Sequence, residues 1–320
     1  MAREVRPHDV LVSATPEDLP EGVARVLAAS SRDQVAPGEP GRIDAAGMRW
    51  SMRSWGNPAD PPLLLAHGIM SDGGVYWRFG PALAAAGWRV IAVDLPGHGG
   101  TGPWNGRHAL LETSEDVASL VRAVDLGPSE LVVLGHSWGA AVTAGLPAAG
   151  FRPRALILLD PPFLAVEGML AMTRDPIEHP YESADEARIK LRAANPDWTD
   201  GDVEAKALAL TRFDSRAATA VLGRNGDWDA GQSSLAHPNA AGVPTWYLRG
   251  EPASGGLIPD TVVPDLATRV GADHVLTIAD ASHSPMRSRH PASLAIAILG
   301  ALKGARATKT TSGGNPTPRP

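Results

Sequence analysis

The 320-residue sequence contains no cysteine. That excludes disulfides, thiolate metal sites and a cysteine nucleophile. It has no excess of basic residues either: 29 Lys and Arg against 35 Asp and Glu give a net charge of −6, without the basic footprint that nucleic acid or anionic lipid calls for. No apolar run approaches the length of a membrane span, and residues 1–8 lack the apolar core of a signal peptide. The expectation is a soluble, cytoplasmic protein with neither nucleic acid nor membrane as partner, its oligomeric state left open. Cofactor signatures are missing too. Gly97-His-Gly-Gly-Thr-Gly102 lacks the lysine of a P-loop and has the wrong spacing for a dinucleotide turn. No His/Asp/Glu cluster has metal-ligand spacing, so neither cofactor nor metal is expected.

What is present is an ordinary globular composition, 43% hydrophobic and 20% charged. Residues 1–40 read as an N-terminal extension with one amphipathic helix near 21–29. Two strand-like pieces at 41–45 and 48–55, with a turn at Gly47, open a sheet in antiparallel fashion. Short apolar runs follow at 63–66, 89–93, 131–134, 155–159, 245–248 and 275–278. Helical patterns at 76–86, 111–124, 140–148 and 264–270 separate most of them. Continuous apolar strands alternating with helices predict an α/β fold, a mostly parallel twisted sheet with helices on both faces. Its active site belongs at the carboxyl ends of the strands.

The alternation stops between 161 and 241. Here the patterns are helical, at 163–172, 183–194, 201–212 and 215–222, with Ser183-Ala-Asp-Glu186 fitting a capping box. An all-helical insertion at this point predicts a lid over the strand ends. The core is then 41–160 plus 242–302, and residues 303–320, rich in Gly, Pro, Thr and charge, read as a disordered tail.

The most informative stretch is Gly135-His-Ser-Trp-Gly139. It reads G-x-S-x-G between an apolar strand and a small-residue helix. Such a sharp strand-to-helix turn needs glycines at its flanks and lifts the serine off the sheet. Three other motifs stand in order around it: His67-Gly68-Ile69, Asp94-Leu-Pro-Gly-His-Gly99 and Ala281-Ser-His283-Ser-Pro. Together the four resemble an α/β-hydrolase with a lid, over roughly residues 41–302.

The resemblance implies a nucleophile, a base and an oxyanion hole. Ser137 needs an adjacent base, and His283, in a loop after the last strand, is the histidine placed to serve. His136 points away from its neighbour's hydroxyl, His98 belongs to the rim of the pocket, and His67 resembles the family's histidine beneath the oxyanion loop. His290 reads as surface, and histidines 8, 108, 179, 237 and 274 have no motif around them. The oxyanion hole should be the backbone N–H groups of Trp138 and Ile69.

The third member of the triad has two candidates. Many relatives carry the acid about three residues past a glycine after the strand at 245–248. In this chain that position, after Gly250, is Ala253. Glu251 could substitute. The other option is Asp160, at the end of the strand after the elbow helix, where haloalkane dehalogenases and some lactone-cleaving relatives place their acid. Asp160 is preferred, with Asp260 and Asp280 behind both, and Asp94 read as structural. Tyr76 and Trp77 are acyl-pocket candidates, and Phe163 is a substrate contact. Asp227-Trp228-Asp229 reads as an anchor for the lid.

The implied activity is a cofactor-free serine hydrolase acting on a small-molecule carboxylic ester or lactone through an acyl-enzyme. Alternatives are a C–C bond hydrolase of a diketone-like substrate, or a non-enzymatic, single-turnover ligand receptor on the same fold.

Overall fold

The computed structural model describes residues 11–229, 242–287 and 289–307. The sheet strands are β1 (Leu11–Val12), β2 (Glu39–Ala45), β3 (Met48–Trp55), β4 (Pro62–Ala66), β5 (Arg89–Val93), β6 (Val132–His136) and β7 (Ala155–Leu159). After β8 (Phe163–Leu164) and β9 (Trp228–Asp229), the sheet resumes with β10 (Thr245–Gly250) and β11 (Val275–Ile278). The helices are α1 (Glu21–Ala28), α2 (Phe79–Ala85), α3 (Leu110–Ala123), α4 (Trp138–Ala144), α5 (Val166–Met172), α6 (Ala184–Ala194), α7 (Asp200–Leu210), α8 (Ser215–Arg224), α9 (Val263–Val270) and α10 (Pro291–Ala307).

Nine strands form one sheet in the order β1-β11-β10-β7-β6-β4-β5-β3-β2. All neighbours are parallel except β2/β3 and β3/β5. The central strands β4 to β7 are apolar at nearly every position because both sheet faces are covered. Alternation by two then sends their side chains into two cores. Leu64, Val133, Leu156 and Leu158 pack with α3, α4 and α9 on one face. Leu63, Leu65, Val132, Leu134 and Ile157 pack with α1, α2 and α10 on the other. Strand order reverses at β4: β5 lies on one side of it and β6 on the other. The crevice at such a reversal is where ligands bind in open α/β sheets.

Four sequence expectations need correction. The extension is not separate from the sheet. Leu11 and Val12 pair in parallel with Thr277 and Ile278, and β2 begins at Glu39. The helix expected at 76–86 is a 3₁₀ turn at Gly73–Tyr76 followed by α2. The insertion is not all helical, since β8 and β9 within it form an antiparallel ribbon. Residues 303–307, expected in the disordered tail, belong to α10, which continues to Ala307. Residues 308–320, His8, His237 and the stretch 230–241 lie outside the described residues.

The insertion packs on the carboxyl end of the sheet. Phe213 stacks on His98, Arg212 pairs with Asp72 at 2.7 Å, and Asp202 accepts from Trp77 Nε1 at 3.0 Å. The Ser183 side chain accepts from the Glu186 N–H, which is half of the expected capping box.

Candidate active site

The turn after β6 puts Ser137 at φ 54° and ψ −120°, a conformation that side chains rarely adopt. The flanking glycines are dictated by space. A Cβ on Gly135 would stand 2.3 Å from the Gly139 carbonyl oxygen, and one on Gly139 would stand 2.5 Å from the Ala66 oxygen. Gly68, after β4, lies directly over the nucleophile position: a Cβ there would be 3.0 Å from Ser137 Cβ. The serine itself is 3% exposed.

Three strand ends converge here. His283, in the loop after β11, has Nε2 2.9 Å from Ser137 Oγ and Nδ1 2.7 Å from Asp160 Oδ2. A carboxylate only accepts, so Nδ1 carries the proton and Nε2 is left to accept from the serine hydroxyl. Asp160 follows β7, is completely buried and takes φ 42°, which Asp tolerates better than most residues. Its Oδ1 also accepts from Gly250 N at 3.1 Å and its Oδ2 from Leu257 N at 2.9 Å. Those two bonds lock the carboxylate's orientation toward the imidazole. Gly250 also makes room for the histidine loop, since a Cβ there would lie 2.4 Å from the Ser282 carbonyl oxygen.

Glu251 has other work. Its Oε2 accepts from Asp280 N at 3.1 Å, and His283 Nδ1 is taken by Asp160. Asp260 pairs with Arg249 at 2.7 Å. Asp94 accepts from Gly73 N and Gly100 N, both at 2.8 Å, which fits a loop-shaping residue.

Two buried imidazoles hold the loop after β4. His67 Nε2 accepts from Leu95 N at 2.9 Å, so its Nδ1–H donates to the Gly68 oxygen at 2.7 Å. His98 Nε2 accepts from Met70 N at 3.2 Å and its Nδ1–H donates to the Pro96 oxygen at 3.0 Å. Both bonding patterns require the neutral ring. Burial pushes the His67 pKa down, and it pushes that of His98 to about 3, helped by His67. His98 is 1% exposed, so its expected place on the pocket rim is corrected: it is an internal strut. His136, set aside as a base, donates Nε2–H to the His283 carbonyl oxygen at 2.8 Å. Burial, and then the neighbouring His283, drive its pKa well below the ordinary histidine value. The only sequence signal for this role was its place inside the elbow.

The substrate-contact expectations fare differently. Tyr76 is 2% exposed and its hydroxyl donates to the Ala66 oxygen at 2.8 Å. Trp77 packs with Val35 and Ala205 and donates to Asp202. Both side chains are therefore structural, and their reading as acyl-pocket residues is corrected. Phe163 is half-buried in the ribbon, paired with Asp229. Trp138, directly after the serine, is the first residue of α4, and Ile69 follows Gly68, the residue that lies against Ser137. Asp227 Oδ1 accepts from Val166 N at 2.9 Å, tying the start of α5 to the residue before β9.

Among the described residues no group of three or more His, Cys, Asp or Glu could hold a metal ion. Nor is any helix there long and apolar enough to cross a membrane.

Comparison with known proteins agrees with this architecture. Residues 63–297 match the Alpha/beta hydrolase family. Lipase LipV of Mycobacterium tuberculosis is 28% identical over 240 residues, 71% of this chain and 88% of the lipase. A dihydrolipoyllysine-residue acetyltransferase component of the acetoin cleaving system of Pseudomonas putida is 36% identical over 139 residues, but the chain spans only 36% of its length. Epoxide hydrolase A of Mycobacterium tuberculosis is 34% identical over 108 residues, a third of each chain. Among solved structures, E-2-(acetamidomethylene)succinate hydrolase superposes with a TM-score of 0.65 at 20% identity, covering 82% of this chain and 98% of its own. An N-acyl homoserine lactonase does so with a TM-score of 0.63 at 17% identity, covering 86% and 99%. The strand order, the elbow after β6 and the match over most of the chain lead to one conclusion: this chain belongs to the alpha/beta hydrolase family.

Proposed function

We propose that the protein is a cofactor-free serine hydrolase of carboxylic esters or lactones, with Ser137 as nucleophile, His283 as base and Asp160 as the acid that orients it. The observation that carries this reading is the continuous chain Ser137 Oγ to His283 Nε2 at 2.9 Å and His283 Nδ1 to Asp160 Oδ2 at 2.7 Å. A serine at the elbow disfavours the aspartate-nucleophile chemistry of epoxide opening. The lipase and lactonase likenesses point the same way.

In this mechanism Ser137 Oγ attacks the carbonyl carbon as its proton passes to His283 Nε2. The carbonyl oxygen becomes an oxyanion, stabilised by the backbone N–H groups of Ile69 and Trp138. Collapse expels the alcohol, protonated by His283, and leaves an acyl-serine. His283 then takes a proton from water, whose oxygen attacks the acyl carbon, and returns that proton to Ser137. Asp160 keeps the imidazole in the working tautomer and stabilises the imidazolium. His67 and His98 hold the β4 loop at the height the oxyanion needs. The insertion 161–241 acts as the lid that shields this chemistry from bulk water.

The test is labelling and turnover. A fluorophosphonate probe is expected to modify Ser137 and not a Ser137→Ala variant, and a short-chain nitrophenyl ester to be hydrolysed through many cycles. An unlabelled Ser137 with no turnover would sink the reading. Labelling with a single turnover would favour a receptor on the same fold.

A further inference from the structure

The insertion, the segment after β4 and the histidine loop bring together an unusual set of charges, most of them buried. Lys206, from α7 and 2% exposed, bonds Glu178 Oε2 at 2.8 Å and the Met70 carbonyl oxygen at 3.0 Å. Arg78 pairs with Asp202 at 3.3 Å, and Arg212 with Asp72 at 2.7 Å. Each of the three carboxylates thus has one of those cations as its direct ion-pair partner, although all three also act on Arg287 through space. Arg287 is left over. It is 7% exposed, four residues past His283 in the same loop, and has no carboxylate within ion-pair distance among the described residues. Its Nη1 donates to Ser284 Oγ at 3.2 Å, and its guanidinium lies over the Trp198 ring at 4.8 Å. Its Nε is buried with no hydrogen-bond partner, as is the hydroxyl of Ser71 beside Met70. Burying a charge without a partner is costly, so a surplus guanidinium points to an anion supplied from outside.

Its place limits which anion. Arg287 donates to the side chain of Ser284, the residue directly after His283, and His283 bonds Ser137, so the surplus charge sits in the loop that carries the base. Lys206 spends two of its three N–H donors on Met70 and Glu178, which leaves one in hand. One surplus positive charge matches a monoanion rather than a phosphate dianion. A guanidinium fork matches a carboxylate in shape.

We propose that Arg287, backed by Lys206, is a carboxylate-binding subsite, and that the substrate is an ester or lactone carrying a second, ionised carboxyl group. This rests on the serine hydrolase reading for the bond that is cleaved, but the subsite itself stands on the charge arrangement. Arg287 and Lys206 are specificity-determining residues and take no part in proton transfer.

The experiment compares mono-4-nitrophenyl glutarate with the neutral 4-nitrophenyl pentanoate. For the wild-type protein, kcat/KM is expected to favour the glutarate ester by at least about tenfold. In Arg287→Met that preference is lost, a fall of at least about tenfold, the low end of the range for a hydrogen bond to a charged group, mostly through KM. Arg287→Lys restores part of it. Equal or better cleavage of the neutral ester by the wild type overturns the subsite and leaves the hydrolase reading intact. Calorimetric titration of the wild-type protein with glutarate decides the matter even if Arg287→Met does not fold. Binding is expected, and no binding overturns the subsite. Glutarate binding with neither ester cleaved overturns the hydrolase reading alone.

Discussion

His136 Nε2 lies 2.8 Å from the main-chain carbonyl oxygen of His283, so the residue before the nucleophile holds the loop that carries the base. The elbow and the histidine loop are thereby fixed to each other directly as well as through Ser137 Oγ. Replacing His136 with Leu removes that donor. We expect kcat to fall by roughly 10- to 100-fold, the cost of a misplacement near 1 Å, with a smaller change in KM. His136→Gln, which keeps an N–H donor, should retain more of the rate. Stopped-flow turnover of a nitrophenyl ester reads both, and an unchanged kcat in His136→Leu would remove the positioning role.

Asp160 and Glu251 make opposite predictions. Asp160→Asn keeps the shape but presents an amide to His283 Nδ1 and selects the wrong tautomer. Turnover should drop by about 10⁴. Glu251→Gln keeps an acceptor for Asp280 N and should leave turnover unchanged. A large loss in Glu251→Gln with a near-normal Asp160→Asn would reverse the assignment.

The backbone of Ser137 stores strain at φ 54° and ψ −120°. Residues held in such regions cost of order 1–3 kcal/mol, and glycine enters them freely. Ser137→Gly should therefore raise the unfolding free energy by about 1 kcal/mol, net of glycine's entropy, while abolishing hydrolysis. Urea unfolding of the two proteins checks this, and a less stable glycine variant would show that the strain is relieved elsewhere.

Acid should weaken the fold through its buried imidazoles. Burial holds His98 at about 3 and lowers His67 and His136 as well, whereas an unfolded histidine titrates near 6.5. Below roughly pH 6.5 the unfolded chain thus binds more protons than the folded one, and the unfolding free energy falls as pH falls. The stability these groups contribute is complete above that pH and is lost on the way down to about 3. For His98 alone the loss between pH 7.5 and 5 is about 2 kcal/mol. His98→Gln, which keeps an acceptor for Met70 N, should lose correspondingly less over the same interval. Parallel pH profiles for the two proteins would contradict the account.

Much of the sheet was legible because strands covered on both faces must be largely apolar, and β4, β5, β6 and β7 are, apart from Arg89 at the start of β5 and His136 at the end of β6. Strand β1 was not, being two residues long with Leu11 45% exposed. Strands β8 and β9 are equally short and sit in a segment whose periodicity is helical. The elbow was legible because close backbone approach demands glycine at 135 and 139. The choice between Asp160 and Glu251 was not closed, because it depends on how β7, β10 and β11 converge. Chain position gives no account of side-chain direction either: Tyr76 and Trp77 stand next to the right loop but turn their polar atoms inward, and His98 is a strut where a rim was expected.

The ribbon between β8 and β9 pairs Phe163 with Asp229 and Leu164 with Trp228, so residues 165–227 begin and end at one hydrogen-bonded gate. Once the two ends of a segment are clamped together, the closure entropy of what lies between grows only slowly with its length. The stretch inside the gate can therefore be lengthened, shortened or exchanged wholesale with little effect on the sheet. On this view the core is a fixed chassis, and the residues bracketed by the ribbon are a replaceable cartridge through which new substrate preferences can be fitted to the same chemistry.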